Sequence, residues 1–287
     1  MIVDAHLHLF ERQSAEYPRG VHPLYPPELR SPAEQFLDVM DRHGVDRAVV
    51  VPLDHHDQYL AVVLDRYPDR FCGVGVLDDA DPDPVASTRR RHGELGLVGL
   101  RLGRLGRADA GRARDLERLP LLETLAELGM VLWFYGPPDQ LPLLLLVQRE
   151  VPELQVVLNH LGFCPTGYEV DELGRPRIET ELPPPTLKVV LQLSEFAGVS
   201  VMFSGLYAFS HQPPPFSDLD HTVREIGRTY GLDRLLWASD WPWIQEVPGY
   251  SALQSHVDHF FPEATPDERA ALMGDNAARV LRLGQRR

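Results

Sequence analysis

The sequence predicts one (β/α)₈ barrel, the TIM fold, over residues 1–287, on three observations. Short β-branched runs recur eight times along the chain, and amphipathic stretches of helical spacing separate them. The chain has 287 residues, close to the roughly 250 typical of such a barrel. Strand followed by helix, repeated, implies parallel strands with crossover helices. No GxGxxG follows the first run, which disfavours an open dinucleotide-binding sheet.

In chain order, the first strand is read at 2–7. A helix follows at 32–43, with Ser31-Pro32 as N-cap and first helical position and His43-Gly44 as a glycine-terminated end. Next come a strand at 47–51, a helix at 58–67 and strands at 71–76 and 98–102. A helix at 118–128, closed by Gly129, leads to the strand at 130–135. The pattern then gives a helix at 139–150, a strand at 155–159, a helix at 187–197, a strand at 200–203, a helix at 218–230 and the eighth strand at 235–239. Two stretches break the alternation. Residues 102–115 carry Arg104, Arg107, Arg112 and Arg114 among glycines, and residues 163–185 are rich in Pro, Gly and Glu. Both follow strands, where a barrel places its active-site loops, so they read as insertions in one domain.

Composition narrows the function. Against 42 acidic residues stand 28 Lys and Arg, a formal charge of −14 that argues against nucleic acid and anionic membranes as partners. No apolar run approaches the roughly 18 residues of a membrane span. Two cysteines are too few for a disulfide framework, and the start of the chain has no signal-peptide pattern. The remaining class is a soluble cytoplasmic enzyme or binding protein acting on a small molecule. Its proline-rich loops could pack between subunits of a homo-oligomer.

Seven residues carry the chemical reading. His6 and His8, two apart at the end of the first strand, face one side by alternation and could share a metal ion. The plainer alternative is a pair of buried polar histidines. Asp240 follows the eighth strand, which barrel closure sets beside the first; it could bind metal, activate water, or do both in turn. The plainer alternative there is a turn residue before Trp241-Pro242. His160 ends the sixth strand as a ligand, a neutral base or an electrophile. Arg101, on the fourth strand, suits a substrate carboxylate or a developing oxyanion, against a salt bridge to a loop. Tyr135 and Ser204 end the fifth and seventh strands, where each could donate a hydrogen bond to substrate, against simple packing. Cys72 reads as core, and His55, His56, His211 and His221 as solvated.

Asp4-Ala-His-Leu-His, Asn159-His-Leu-Gly, Phe203-Ser-Gly-Leu and Ser239-Asp-Trp-Pro, in this order, resemble the amidohydrolase superfamily. The nearer likeness is to its amidohydrolase-related ("amidohydrolase 2") branch, down to a closing helix at Gly274-Asp-Asn-Ala-Ala-Arg-Val-Leu281. The resemblance implies a (β/α)₈ barrel with metal at His6, His8 and Asp240 and a catalytic histidine at His160. It implies either a lactonase, some of which work without metal, or a zinc-dependent non-oxidative decarboxylase of aromatic or muconic acids. Asp240-Trp-Pro, Ser204-Gly-Leu and Gly99-Leu-Arg101 are similar to the lactonase side. With no histidine in the fifth strand and no lysine ending the fourth, one divalent metal, zinc, is expected rather than two. The expectation is therefore a hydrolase opening a small anionic or sugar-derived lactone with activated water. A decarboxylase is the alternative, and a silent ligand-binding barrel the third.

Overall fold

The computed structural model describes residues 1–167 and 169–283. Eight parallel strands run in the order β1 (Val3–Leu7), β2 (Arg47–Val50), β3 (Phe71–Val76), β4 (Gly99–Leu102), β5 (Val131–Phe134), β6 (Val156–Leu158), β9 (Val199–Phe203) and β10 (Leu235–Trp237). Helices α1 (Ala33–His43), α2 (Gln58–Arg66), α3 (Pro84–Leu95), α4 (Leu119–Leu128), α5 (Leu143–Glu150), α6 (Leu187–Leu193), α7 (Leu206–Phe209), α8 (Asp220–Tyr230) and α9 (Tyr250–Phe260) intervene or follow. This is the barrel that the alternation predicts, with six of the eight strands one or two residues shorter and β9 one residue longer. Between β6 and α6, the second insertion contains a small antiparallel hairpin, β7 (Glu169–Val170) with β8 (Pro176–Arg177).

Alternation along each strand divides the core into two layers. Val49, Val74, Val131, Trp133, Val157 and Met202 point into the barrel, while Val50, Phe71, Leu100, Leu132, Leu158 and Val201 pack outward against helices. The lower end of the barrel is filled by α11 (Asn276–Val280), whose Ala277 and Val280 join the inner layer. α11 follows α10 (Pro266–Ala270) through a π turn at Ala271–Asp275. Gly274 lies so close to the first strand that an added Cβ would sit 2.2 Å from the Met1 carbonyl oxygen. With that end packed, the opposite rim is the open one.

Several local readings change. Pro32, not Ser31, caps α1, and no side chain completes the cap. Ser31 Oγ instead accepts the Trp241 indole N–H at 2.9 Å, a buried tie across the barrel mouth. α3 was not delimited from sequence because it has no apolar stripe. Its buried residues are Thr88 and Arg91, and Arg91 reaches the core as a bidentate partner of Asp57 at 2.6 and 2.8 Å. Among the described residues, no helix is long and apolar enough to cross a membrane.

Candidate active site

Both first-strand histidines face the barrel interior, but simple alternation from the strand start does not put them there. Val3 and Ala5 belong to the inner layer and Leu7 to the outer one. Against β2, the register advances from Asp4 to Leu7 on β1 while moving only from Ala48 to Val50. The extra residue is a β-bulge, which turns the chain after Ala5 by half a period. Without it, the phase of Val3 and Ala5 would send His6 and His8 out toward the helices.

The eighth barrel strand meets the first at this bulge. Asp240 N–H donates to the His6 carbonyl at 3.0 Å, and His8 N–H donates to the Trp241 carbonyl at 2.8 Å. Asp4, fully buried, completes the join, accepting from Ser239 N–H at 2.9 Å and Tyr250 O–H at 2.8 Å. Burial pushes its carboxyl up to about 6 despite those bonds. Asp240 takes a left-handed backbone, φ 61°, which aspartate tolerates better than most residues. Its Oδ1 then lies 3.5 Å from His6 Nε2 and 3.6 Å from His8 Nε2.

Those separations are too long for hydrogen bonds. They are not ion pairs either: burial holds His6 well below 6.5, and burial with the Arg101 charge lowers His8 to about 3. Asp240 Oδ1 and both ring nitrogens of His6 are buried without a hydrogen-bond partner, a costly state unless something coordinates them. Ligand atoms about 2.0–2.1 Å from a tetrahedral zinc stand roughly 3.4 Å apart, close to both distances here. His8 Nδ1 donates to the Val51 carbonyl at 2.8 Å, which leaves Nε2 as the lone pair facing Asp240. These residues fit one divalent cation, and they form the cluster of candidate ligands found among the described residues.

The opposite wall is built differently. His160 also has a positive φ, 44°, and its Nδ1 shares a 2.9 Å hydrogen bond with Ser204 Oγ, leaving Nε2 3.9 Å from Asp240 Oδ2. Burial, with Arg101 nearby, keeps this ring neutral too. Gly205 makes room for it; an added Cβ there would sit 2.7 Å from His160 Nδ1, on a backbone of φ 73°. Arg101 points inward because Leu100 and Leu102 point outward, and its guanidinium carbon lies 4.8 Å from the Tyr135 ring centre. His8, His160, Asp240, Arg101 and Tyr135 all line one cavity of about 130 Å³, roofed by Leu24, Ile178, Phe209 and Trp243. Ser204 stands one step behind the wall, its hydroxyl engaged by His160. A larger cleft of about 640 Å³ lies beside the hairpin, but it has none of these converging donors.

Burial raises Asp240 to about 7, against the Tyr207 hydrogen bond and the Arg101 charge, which pull it down. Tyr207 O–H donates to Asp240 Oδ2 at 2.6 Å, and burial keeps that phenol protonated. The sequence reading missed Tyr207, although it lies three residues beyond Ser204 and directly follows the Phe203-Ser-Gly-Leu motif. Asp4 was likewise quoted without a role. Arg104, Arg107, Arg112 and Arg114 are exposed and take no part in the cavity wall.

A barrel with histidines ending its first strand and an aspartate ending its last defines a class, and the comparisons agree with it. The family model described as amidohydrolase matches residues 3–283, and the chain belongs to that family. It is 25% identical to the L-fucono-1,5-lactonase of Burkholderia ambifaria, over 98% of this chain and 95% of that one. It is 28% identical to the 4-sulfomuconolactone hydrolase of Rhizobium radiobacter, over 97% and 89%. A probable 2-pyrone-4,6-dicarboxylic acid hydrolase from Acinetobacter baumannii, solved with citric acid, shares the fold at a TM-score of 0.72 and 20% identity, over 98% and 99%.

Proposed function

We propose that this protein is a metal-assisted lactonase that opens a small, single-ring lactone bearing a carboxylate. The observation that carries the reading is the buried Asp240 carboxylate, raised to about 7, with its unpartnered Oδ1 between two neutral imidazoles and the cavity. Burial raises its basicity, a bound cation beside it would lower it, and the lower pKa of water at that cation would offset the loss, so proton abstraction from water stays within its reach. The two curated relatives above, both lactone hydrolases by name, support the same chemistry.

His6, His8 and Asp240 would hold the cation, and their two-nitrogen, one-oxygen set suits zinc. When bound, it would lower the pKa of water and polarise the lactone carbonyl. The chain's own residues do the rest. Arg101 takes the substrate carboxylate, and the ring sits among Leu24, Ile178, Phe209 and Trp243. A cavity of about 150 Å³ accommodates benzene, so one ring is the scale that 130 Å³ admits. The Asp240 carboxylate takes a proton from water as the water oxygen bonds to the carbonyl carbon. When Ser204 O–H donates to His160 Nδ1, the proton of the neutral ring is on Nε2, where it can donate to the developing oxyanion. As the ring C–O bond breaks, the proton on Asp240 passes to the departing alkoxide, giving a hydroxy acid.

The test is a panel of carboxylated lactones, neutral lactones and aromatic acids, assayed on purified protein with added zinc. Ring opening of carboxylated lactones without gas release is the expected result. Carbon dioxide from an aromatic acid would replace this reading with the decarboxylase one, and no turnover with retained ligand binding would favour a silent barrel.

A further inference from the structure

We infer that Tyr207 is a positioning residue for Asp240: its phenol holds Oδ2 so that Oδ1 stays directed at His6 and His8. The inference rests on the reading of Asp240 as ligand and base. Among the described residues, the Tyr207 O–H is the hydrogen-bond donor recorded for the Asp240 side chain, at 2.6 Å, while Oδ1 has none. The terminal torsion of an aspartate is broad and nearly two-fold, so packing alone fixes the carboxylate plane weakly. His160 Nε2, 3.9 Å from Oδ2, is too far to fix it by hydrogen bonding. Tyr207 is buried and absent from the cavity wall, so the phenol acts through Asp240 and not on substrate.

The second insertion braces this residue. Ile178 N–H donates to the Ala208 carbonyl at 2.9 Å, and Arg177 donates to the Tyr207 carbonyl at 3.0 Å, which ties the hairpin to α7. Arg175, paired with Asp171 at 2.8 Å, stands with its guanidinium carbon 5.5 Å from the Tyr207 ring centre. The ring is therefore held by an element outside the barrel, and its hydroxyl delivers that placement to the carboxylate.

Tyr207→Phe keeps the ring and its packing and removes only the donor. Zinc affinity, read by competition with a colorimetric chelator, should weaken about tenfold or more, the usual scale for losing an outer-shell partner of a metal ligand. With a carboxylated lactone, kcat should fall at least tenfold while KM stays within about twofold, and circular dichroism should show an intact fold. Wild-type zinc affinity together with wild-type kcat in this variant would overturn the inference. So would a loss confined to KM, which would place the phenol on the substrate. If the wild type opens no lactone yet Tyr207→Phe still weakens zinc binding, the proposed reaction fails while the positioning role stands.

Discussion

The two sides of the barrel mouth differ in what their polar atoms already hold. At the β1–β10 join, the backbone is tied tightly, yet Asp240 Oδ1 and the His6 ring nitrogens are left without partners. On the β4–β6 wall, His160 is bonded to Ser204, and Arg101 lies over Tyr135. A rigid frame around uncommitted donors is what a bound ion requires, because nothing in the fold then competes for their lone pairs. A wall of partnered groups is what substrate orientation requires, because each side chain is already locked in place.

The contrast breaks most visibly at Asp240. Asp240→Asn should lower kcat by about 10²–10⁴-fold, the range for losing a general base, while circular dichroism shows an intact fold. Arg101→Gln should act on the other side only. It should cost about 10–100-fold in kcat/KM for a carboxylated lactone, as for a lost charged hydrogen bond, and leave turnover of neutral lactones much less affected. Below pH 7 the join should bind zinc about tenfold more weakly per pH unit. Asp240 is raised to about 7, so below that pH it holds a proton that ligation must displace, while His6 and His8 are already neutral. Calorimetry in buffers of different ionisation enthalpy should show about one proton released at pH 6 and none at pH 8. The same shift carries a stability sign. Folded Asp240 retains its proton between 3.8 and about 7 while the unfolded chain loses it, so its contribution to metal-free stability falls as pH rises through that window. The smallest effect is Gly205→Ala, which should cost about 1–2 kcal/mol of stability for a side chain at positive φ. It should also displace His160 and lower kcat, with zinc affinity unchanged.

The barrel was legible because its strands carry β-branched residues on both faces and its helices mostly carry apolar stripes. α3 escaped, since Arg91 and Thr88 bury a polar face that periodicity does not register. His6 and His8 were legible as a pair two apart, and Asp240 by its place after the last strand. The bulge that turns the histidines inward was not, because Val3 and Ala5 continue a regular alternation right up to it. Ser31 was misread because an N-cap signal and a tie to Trp241 use the same hydroxyl. Tyr207 escaped because its partner lies 33 residues away, a contact that only barrel closure creates.

The most direct measurement is anomalous diffraction at the zinc absorption edge from crystals grown with zinc above pH 7. One peak is expected about 2.0–2.2 Å from His6 Nε2, His8 Nε2 and Asp240 Oδ1 together. A peak at His55 and His56 instead, or no peak while His6 and Asp240 Oδ1 stay without partners, would contradict the metal site.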